Sequence, residues 1–284
     1  MKISINMLLW TTHVTTGHFS LLGRIRQAGF DGVEVPLFGG SEAEFRALRR
    51  ALDAEGLECT TSTIATEQAN PISSDASVRQ AALARLRWAI ETSHILKADV
   101  LAGPFHSPLA VFSGGGPTDD EISRASDVLR DAAEMAAEAK LTLAIESLNR
   151  FECYFLTTVA QARSLAERVN HPRFRIMYDT FHAHIEEKDV ASAITHAAPF
   201  LSHVHVSESD RGVPGTGQVR WPETFQALRD IQYDGWMVIE AFGRALPDLA
   251  AATRIWRDLF ASDQEVLTRG YSFVKKQALG RPAA

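Results

Sequence analysis

Cysteine is scarce in this chain: 284 residues include two, Cys59 and Cys153. Two thiols without zinc-type spacing exclude a disulfide framework and a thiolate metal site, and both are read as reduced, buried or pocket-lining groups. Long hydrophobic runs are missing as well. No stretch approaches the roughly 20 apolar residues of a membrane span, and the opening MKISINMLLW turns polar too soon for a signal peptide. A cytoplasmic protein with no membrane partner is therefore expected. Positive charge is outweighed, with 29 Lys and Arg against 35 Asp and Glu and a net charge of −6. Without a basic stripe or an interleaved run of arginine and aromatic residues, nucleic acid is not an expected partner. No Pro/Gly/Ser-rich linker, low-complexity tract or break in composition divides the chain, so a single domain over residues 1–284 is expected.

What is present is an alternation. Strand-like runs occur at Ile3–Leu9, Gly32–Pro36, Glu58–Ile64, Asp99–Ala102, Leu141–Glu146, Phe174–Asp179, Ser202–Val206 and Trp236–Ala241. Helical segments between and after them are predicted at Phe19–Ala28, Glu42–Glu55, Val78–Leu96, Glu121–Ala139, Val159–Val169, Val190–Ala198, Trp221–Ile231 and Leu246–Phe260. Apolar residues at three- and four-residue steps, such as Phe45, Leu48 and Leu52, mark the helices. Eight such units predict an α/β fold of the closed (β/α)8 TIM barrel type rather than an open doubly wound sheet. A C-terminal helix over about residues 264–278 is expected to pack on the barrel.

Glu146, Asp179, His205 and Glu240 each stand where a strand-like run ends, in LTLAIE, FRIMYD, LSHVHV and WMVIE. Barrels of this class place their active sites at the C-terminal ends of the strands. Three carboxylates brought into one dry site repel one another and lose solvation, which raises their pKa values unless a cation sits between them. A divalent metal satisfies that demand. Three carboxylates with one imidazole suit Mn²⁺ first, then Co²⁺ or Mg²⁺, better than structural zinc.

The surrounding segments are dense in polar residues: E-S-L-N-R-F-E (Glu146–Glu152), D-T-F-H-A-H-I-E-E (Asp179–Glu187), H-V-S-E-S-D-R-G-V-P-G-T-G (His205–Gly217), Y-D-G-W-M-V-I-E-A-F (Tyr233–Phe242) and the stretch Ile255–Leu259. Together, and in this order, they resemble the ketose 3-epimerases of the tagatose and allulose (psicose) type, in the xylose-isomerase-like barrel superfamily. The resemblance implies that Glu146, Asp179, His205 and Glu240 are the metal ligands. It also implies that Glu152, His182 and Arg211 hold the O1 and O2 end of a sugar, and that Glu146 and Glu240 exchange the C3 proton. Glu34, in G-V-E-V, matches the strand-two glutamate and is expected to orient Arg211 or bind a hydroxyl. A homodimer or homotetramer acting on a small-molecule sugar is implied as well.

That assignment has independent chemical sense. A proton beside a ketone is removed quickly only if the charge developing on O2 is stabilised, which a chelated metal does as a Lewis acid. Inverting C3 requires removal of a proton on one face and delivery on the other, hence two acid/base groups flanking a planar enediolate. The same metal site also suits an aldose-ketose isomerase, or a lyase or epimerase on 3-keto sugars or glycosides. An endonuclease on this barrel would need more histidine ligands and a basic face, and a non-catalytic sugar-binding protein would exchange no proton.

Two loops depart from the family pattern, L-L-W-T-T-H after strand one and A-G-P-F-H-S-P-L-A-V-F-S-G-G-G-P after strand four. They face the distal carbons, so the preferred ketose does not follow from the resemblance. His106 in the second loop is a candidate substrate contact, and Trp10, Phe38, Phe105 and Phe112 are candidate wall residues. His13 and His18 are placed at the mouth. The P-G-T-G run after Arg211 lies where barrels often hold phosphate, although a free sugar is the expected substrate.

Overall fold

The computed structural model describes residues 1–280, and residues 281–284 of the expected domain lie outside them. Eight short runs form the strands β1 (Lys2–Asn6), β2 (Gly32–Pro36), β3 (Glu58–Ser62), β4 (Val100–Gly103), β5 (Thr142–Ile145), β6 (Phe174–Asp179), β7 (Leu201–Val206) and β8 (Trp236–Ile239). They pair in parallel in chain order, and β8 returns to β1 to close the barrel. The eight helices that follow the strands in turn explain why the sheet can be parallel, since each crossover needs a dozen or more residues. They are α1 (Phe19–Ala28), α2 (Glu42–Glu55), α3 (Ala76–Ile95), α4 (Asp119–Glu138), α5 (Val159–Val169), α7 (Val190–Ala197), α8 (Trp221–Asp230) and α9 (Pro247–Thr253), with a short α6 (Thr180–Glu186) directly after β6.

Residues two apart on a strand share a face. Outward positions such as Ile5, Val33, Leu101, Ile145, Ile176, Val204 and Ile239 join helix residues such as Leu22, Leu48, Ile90 and Leu129 in one large core. The alternate positions Val100, Ala102, Ala144, Met177, Trp236 and Val238 form a separate apolar cluster inside the barrel. The rest of the interior is polar. Asn6, Glu34 and Thr60 stand in register across β1, β2 and β3, and Asp179 stands beside His205 across β6 and β7.

Several helix starts are written locally. Ser41 with Glu44, Thr118 with Glu121 and Thr158 with Gln161 each form a reciprocal capping box ahead of α2, α4 and α5. Several predicted elements are shorter than expected, and two of them end early for clear local reasons. The first strand stops at Asn6 because its side-chain oxygen accepts the Leu8 N–H at 2.9 Å and caps a 3₁₀ turn, Met7–Leu9. The helix predicted over Leu246–Phe260 ends after Thr253, where Arg254 turns left-handed with φ of 60° and Ile255 folds back to bury its side chain. The C-terminal segment runs through α10 (Asp263–Glu265), a π-helical turn (Val266–Gly270) and α11 (Tyr271–Ala278), packing against α8 and β1. No helix among the described residues is long and apolar enough to cross a membrane.

Candidate metal centre and active site

Glu146 follows β5, Asp179 ends β6, His205 lies near the end of β7 and Glu240 follows β8. All four are buried. Ligand atoms of Asp179, His205 and Glu240 lie within 4.8 Å of one another, and so do those of Glu146, Asp179 and His182. Asp179 joins the two groups. Its Oδ1 is committed to the N-terminus of α6, accepting the Phe181 N–H at 2.6 Å and the His182 N–H at 3.2 Å, which leaves Oδ2 for the site. His205 Nδ1 lies 3.6 Å from Asp179 Oδ2 and 3.3 Å from Glu240 Oε1, yet makes no well-formed hydrogen bond.

The electrostatics are those of a site built around positive charge. Burial first, and then the Asp179 and Glu240 charges, push the Glu146 carboxyl well above the usual carboxylate range despite the opposing effect of His205. Burial would raise Asp179 as well, but His182, His205 and Arg211 together hold it below its ordinary value. An orphaned buried imidazole nitrogen among three buried carboxylates fits a divalent cation of hard or borderline character.

Arg211 closes the site from the loop after β7. Its guanidinium is stacked between the rings of Phe181, at 3.9 Å, and Phe242, at 5.0 Å. Nη1 donates to Glu240 Oε2 and to Ser207 Oγ at 3.3 Å. Arg211 takes a left-handed φ of 66°, uncommon for a residue with a side chain. Its N–H closes the turn onto the Glu208 carbonyl at 2.8 Å, and the Glu208 side chain is a fully buried carboxylate that gathers N–H groups of Ser209 at 2.8 Å, Gly215 at 2.9 Å, Val219 at 3.2 Å and the Trp221 indole at 3.0 Å. The P-G-T-G run wraps this internal anion. A Cβ on Gly217 would come within 2.6 Å of Glu208 Oε1, so only glycine allows the wrap.

His182 is held by Asn149, whose backbone and side-chain N–H groups both reach His182 Nδ1 at 3.0 Å. The Asn149 backbone N–H can only donate, so Nδ1 accepts and the ring proton sits on Nε2, which faces Glu146 Oε1 at 3.5 Å and also lies 3.1 Å from Arg211 Nη2, a donor that this tautomer leaves without an acceptor there. Burial lowers the His182 pKa, which favours this neutral form. Asn149 Nδ2 also donates to Glu152 Oε1 at 2.9 Å.

These groups line a cavity of about 290 Å³: Glu146, Glu152, His182, His205, Arg211 and Glu240 on one side, with Phe38, Pro104, Leu109 and Phe242 among the apolar walls. Two expected sugar contacts lie elsewhere. Glu34 is fully buried beneath the cavity, with its carboxylate on His203 and His205, both at 2.8 Å, and it makes no contact with Arg211. His106 is buried behind the wall, where Nδ1 meets Ser107 Oγ at 2.8 Å and the ring packs on Phe155. Burial lowers its pKa to about 3. Of the other wall candidates, Trp10 is tied to Asp263 through its indole N–H at 2.7 Å, Phe105 is core, and Phe112 is exposed. His13 pairs with Glu44, and His18 belongs to the turn before α1. Residues not singled out from sequence are His203, two positions before His205 on the same face of β7, Asn149 inside the E-S-L-N-R-F-E run, and Asn6 at the end of β1. The repeated histidine in LSHVHV was the available signal for His203.

Residues 22–267 match the family described as xylose isomerase-like TIM barrel. A ketose 3-epimerase of Arthrobacter globiformis is 32% identical over 283 residues, covering 97% of this chain and 96% of that protein. A D-psicose 3-epimerase of Agrobacterium fabrum is 31% identical over 265 residues, 91% of each chain. Among solved structures, an L-ribulose 3-epimerase superposes with a TM-score of 0.93 at 28% identity, covering 98% of this chain and 95% of that one. With the closed eight-stranded barrel and the polar residues gathered at its strand ends, these matches establish that the chain belongs to the xylose isomerase-like TIM barrel family.

Proposed function

We propose that the protein is a ketose 3-epimerase that holds a divalent cation, Mn²⁺ in preference to Co²⁺ or Mg²⁺, on Glu146, Asp179, His205 and Glu240. The observation that carries this reading is the opening of Glu146 and Glu240, from strands on well-separated parts of the barrel, into one small cavity that also receives Arg211 and His182. The named relatives with this architecture, epimerases of ketoses, support the same conclusion.

When bound, the cation supplies a Lewis acid that stabilises negative charge on the substrate's oxygens. One of Glu146 and Glu240 removes the C3 proton, and the other returns a proton to the opposite face of the planar enediolate. The C3 configuration of the substrate decides which of the two is the base. Neutral His182 donates Nε2–H, and Arg211 donates from a rigid, stacked guanidinium, to the carbonyl oxygen as charge develops on it. Glu152 accepts from the hydroxyl at the O1 end while Asn149 fixes its position. An unphosphorylated sugar is favoured, because the backbone donors of the P-G-T-G loop are already taken, Gly215 and Gly217 by the Glu208 carboxylate and Thr216 by the Val213 carbonyl.

Chromatography of the products from Mn²⁺-loaded enzyme and a free ketose tests the reading. A second ketose differing at C3 supports it, whereas an aldose product would assign the same site to an aldose-ketose isomerase.

A further inference from the structure

We propose that Glu34 is the positioning residue that fixes His205 for the cation, with His203 as the second arm of the same clamp. The inference rests on the reading of His205 as a ligand.

The Glu34 carboxylate is fully buried and saturated. Oε1 lies 2.8 Å from His205 Nε2 and accepts from Asn6 Nδ2 at 2.9 Å. Oε2 lies 2.8 Å from His203 Nε2 and accepts from the Thr60 hydroxyl at 3.0 Å. The direction of the Asn6 amide is independently set, since its Oδ1 accepts the Leu8 N–H, so the group facing Glu34 is the NH₂. Four donors therefore occupy the four acceptor positions of one ionised carboxylate, which has no proton to give.

A consequence follows for both imidazoles: each must present N–H at Nε2. With the cation bound, His205 would direct Nδ1, as a lone pair, between Asp179 and Glu240; without it, the effect of burial is overcome by Glu34 and Glu240, which favour the charged ring. In histidine-ligated metal sites the nitrogen away from the metal commonly donates to a carboxylate, which fixes both ring and tautomer. His203 has no other task visible in the fold, because it is fully buried and its Nδ1 is without a partner. Two residues apart on β7, the histidines face the same way, and Glu34 reaches both from across the barrel. Asn6 Nδ2 also lies 3.4 Å from Glu240 Oε1, which links the clamp to a second ligand. Neither Glu34 nor His203 lines the cavity, so neither touches substrate.

Two measurements test this. In Glu34→Leu neither histidine keeps an acceptor at Nε2. Titration with Mn²⁺, read by the electron paramagnetic resonance of the free ion, is expected to show binding weakened by roughly 10- to 100-fold. Unchanged affinity would overturn the proposal. Should the variant fail to fold, nitrogen-15 NMR of the wild-type protein loaded with Zn²⁺ still decides. His205 is expected to carry its proton on Nε2 and the metal on Nδ1, and metal on Nε2 would overturn the proposal. Neither readout requires a sugar, so both stand whether or not the protein epimerises a ketose.

Discussion

Asn149 donates twice to a single atom, His182 Nδ1, from its backbone nitrogen and from its side chain, each at 3.0 Å. One loop residue thus sets the tautomer of a histidine on α6 and, through Nδ2, the position of Glu152. Removing the side chain in Asn149→Ala deletes three hydrogen bonds, those to His182, to Glu152 and from the Phe151 N–H, but keeps the backbone one to His182. The two that hold site residues contribute about 1 kcal/mol each, so kcat/KM is expected to fall by about 30-fold, mainly through KM, while Mn²⁺ affinity is unchanged. Steady-state kinetics beside a metal titration distinguishes this from a general loss of structure.

Glu240→Gln keeps the shape and a weak oxygen donor but removes a proton carrier. Loss of a positioned acid/base group costs about 100- to 10,000-fold in turnover. The variant is expected to retain part of its Mn²⁺ by elemental analysis and to lose catalysis by that order. Full activity would remove Glu240 from the chemistry.

Arg211→Lys tests the stacked fork. Lysine carries a single ammonium that cannot fill the sandwich between Phe181 and Phe242 while reaching the site from two nitrogens. The expected result is a kcat/KM reduced by about 10- to 100-fold, on the order of 1.4 to 2.7 kcal/mol, with metal content intact. A collapse of metal content instead would mean that Arg211 chiefly organises the ligands.

Outside the site, Glu44 gives a pH signature. Its carboxyl accepts from the Ser41 hydroxyl at 2.7 Å and the Ser41 N–H at 2.8 Å, which, with His13 beside it, holds its pKa down to about 2 from an ordinary 4.5. A depressed carboxyl contributes stability that is fully present above its unfolded pKa and is lost as pH falls toward its folded one. Glu44→Ala should therefore lower the melting temperature most above about pH 5. The difference from wild type should shrink as the pH is taken below 4.5. A deficit that stays constant across that range would contradict the assignment.

The barrel was legible because its signals are local and repeated. Helices α1, α2 and α5 begin and end where apolar spacing places them, and strands β2 and β6 match the sequence runs end to end. Misread boundaries have side-chain causes that a period cannot show, such as Asn6 capping the 3₁₀ turn and Arg254 turning left-handed. The four candidate ligands stood out because a charged or imidazole group at the end of an apolar strand has few other uses. Glu34, also on a strand, lies two residues before the end of β2, where His203 and His205 reach it from across the barrel. Depth in a barrel depends on the stagger between strands, which the sequence of any single strand does not contain. His106 was misplaced for a similar reason, since the chain direction after Gly103, held at φ of 121°, turns its ring into the core behind the wall.

Proton NMR in D₂O provides the most direct test of the central claim, with Mn²⁺-loaded protein incubated with fructose, allulose, tagatose, sorbose or ribulose, then quenched and stripped of metal. The account predicts loss of the C3 proton signal together with appearance of the C3-epimeric ketose. Exchange at C1 with an aldose product, or no exchange with any of these sugars, would contradict it.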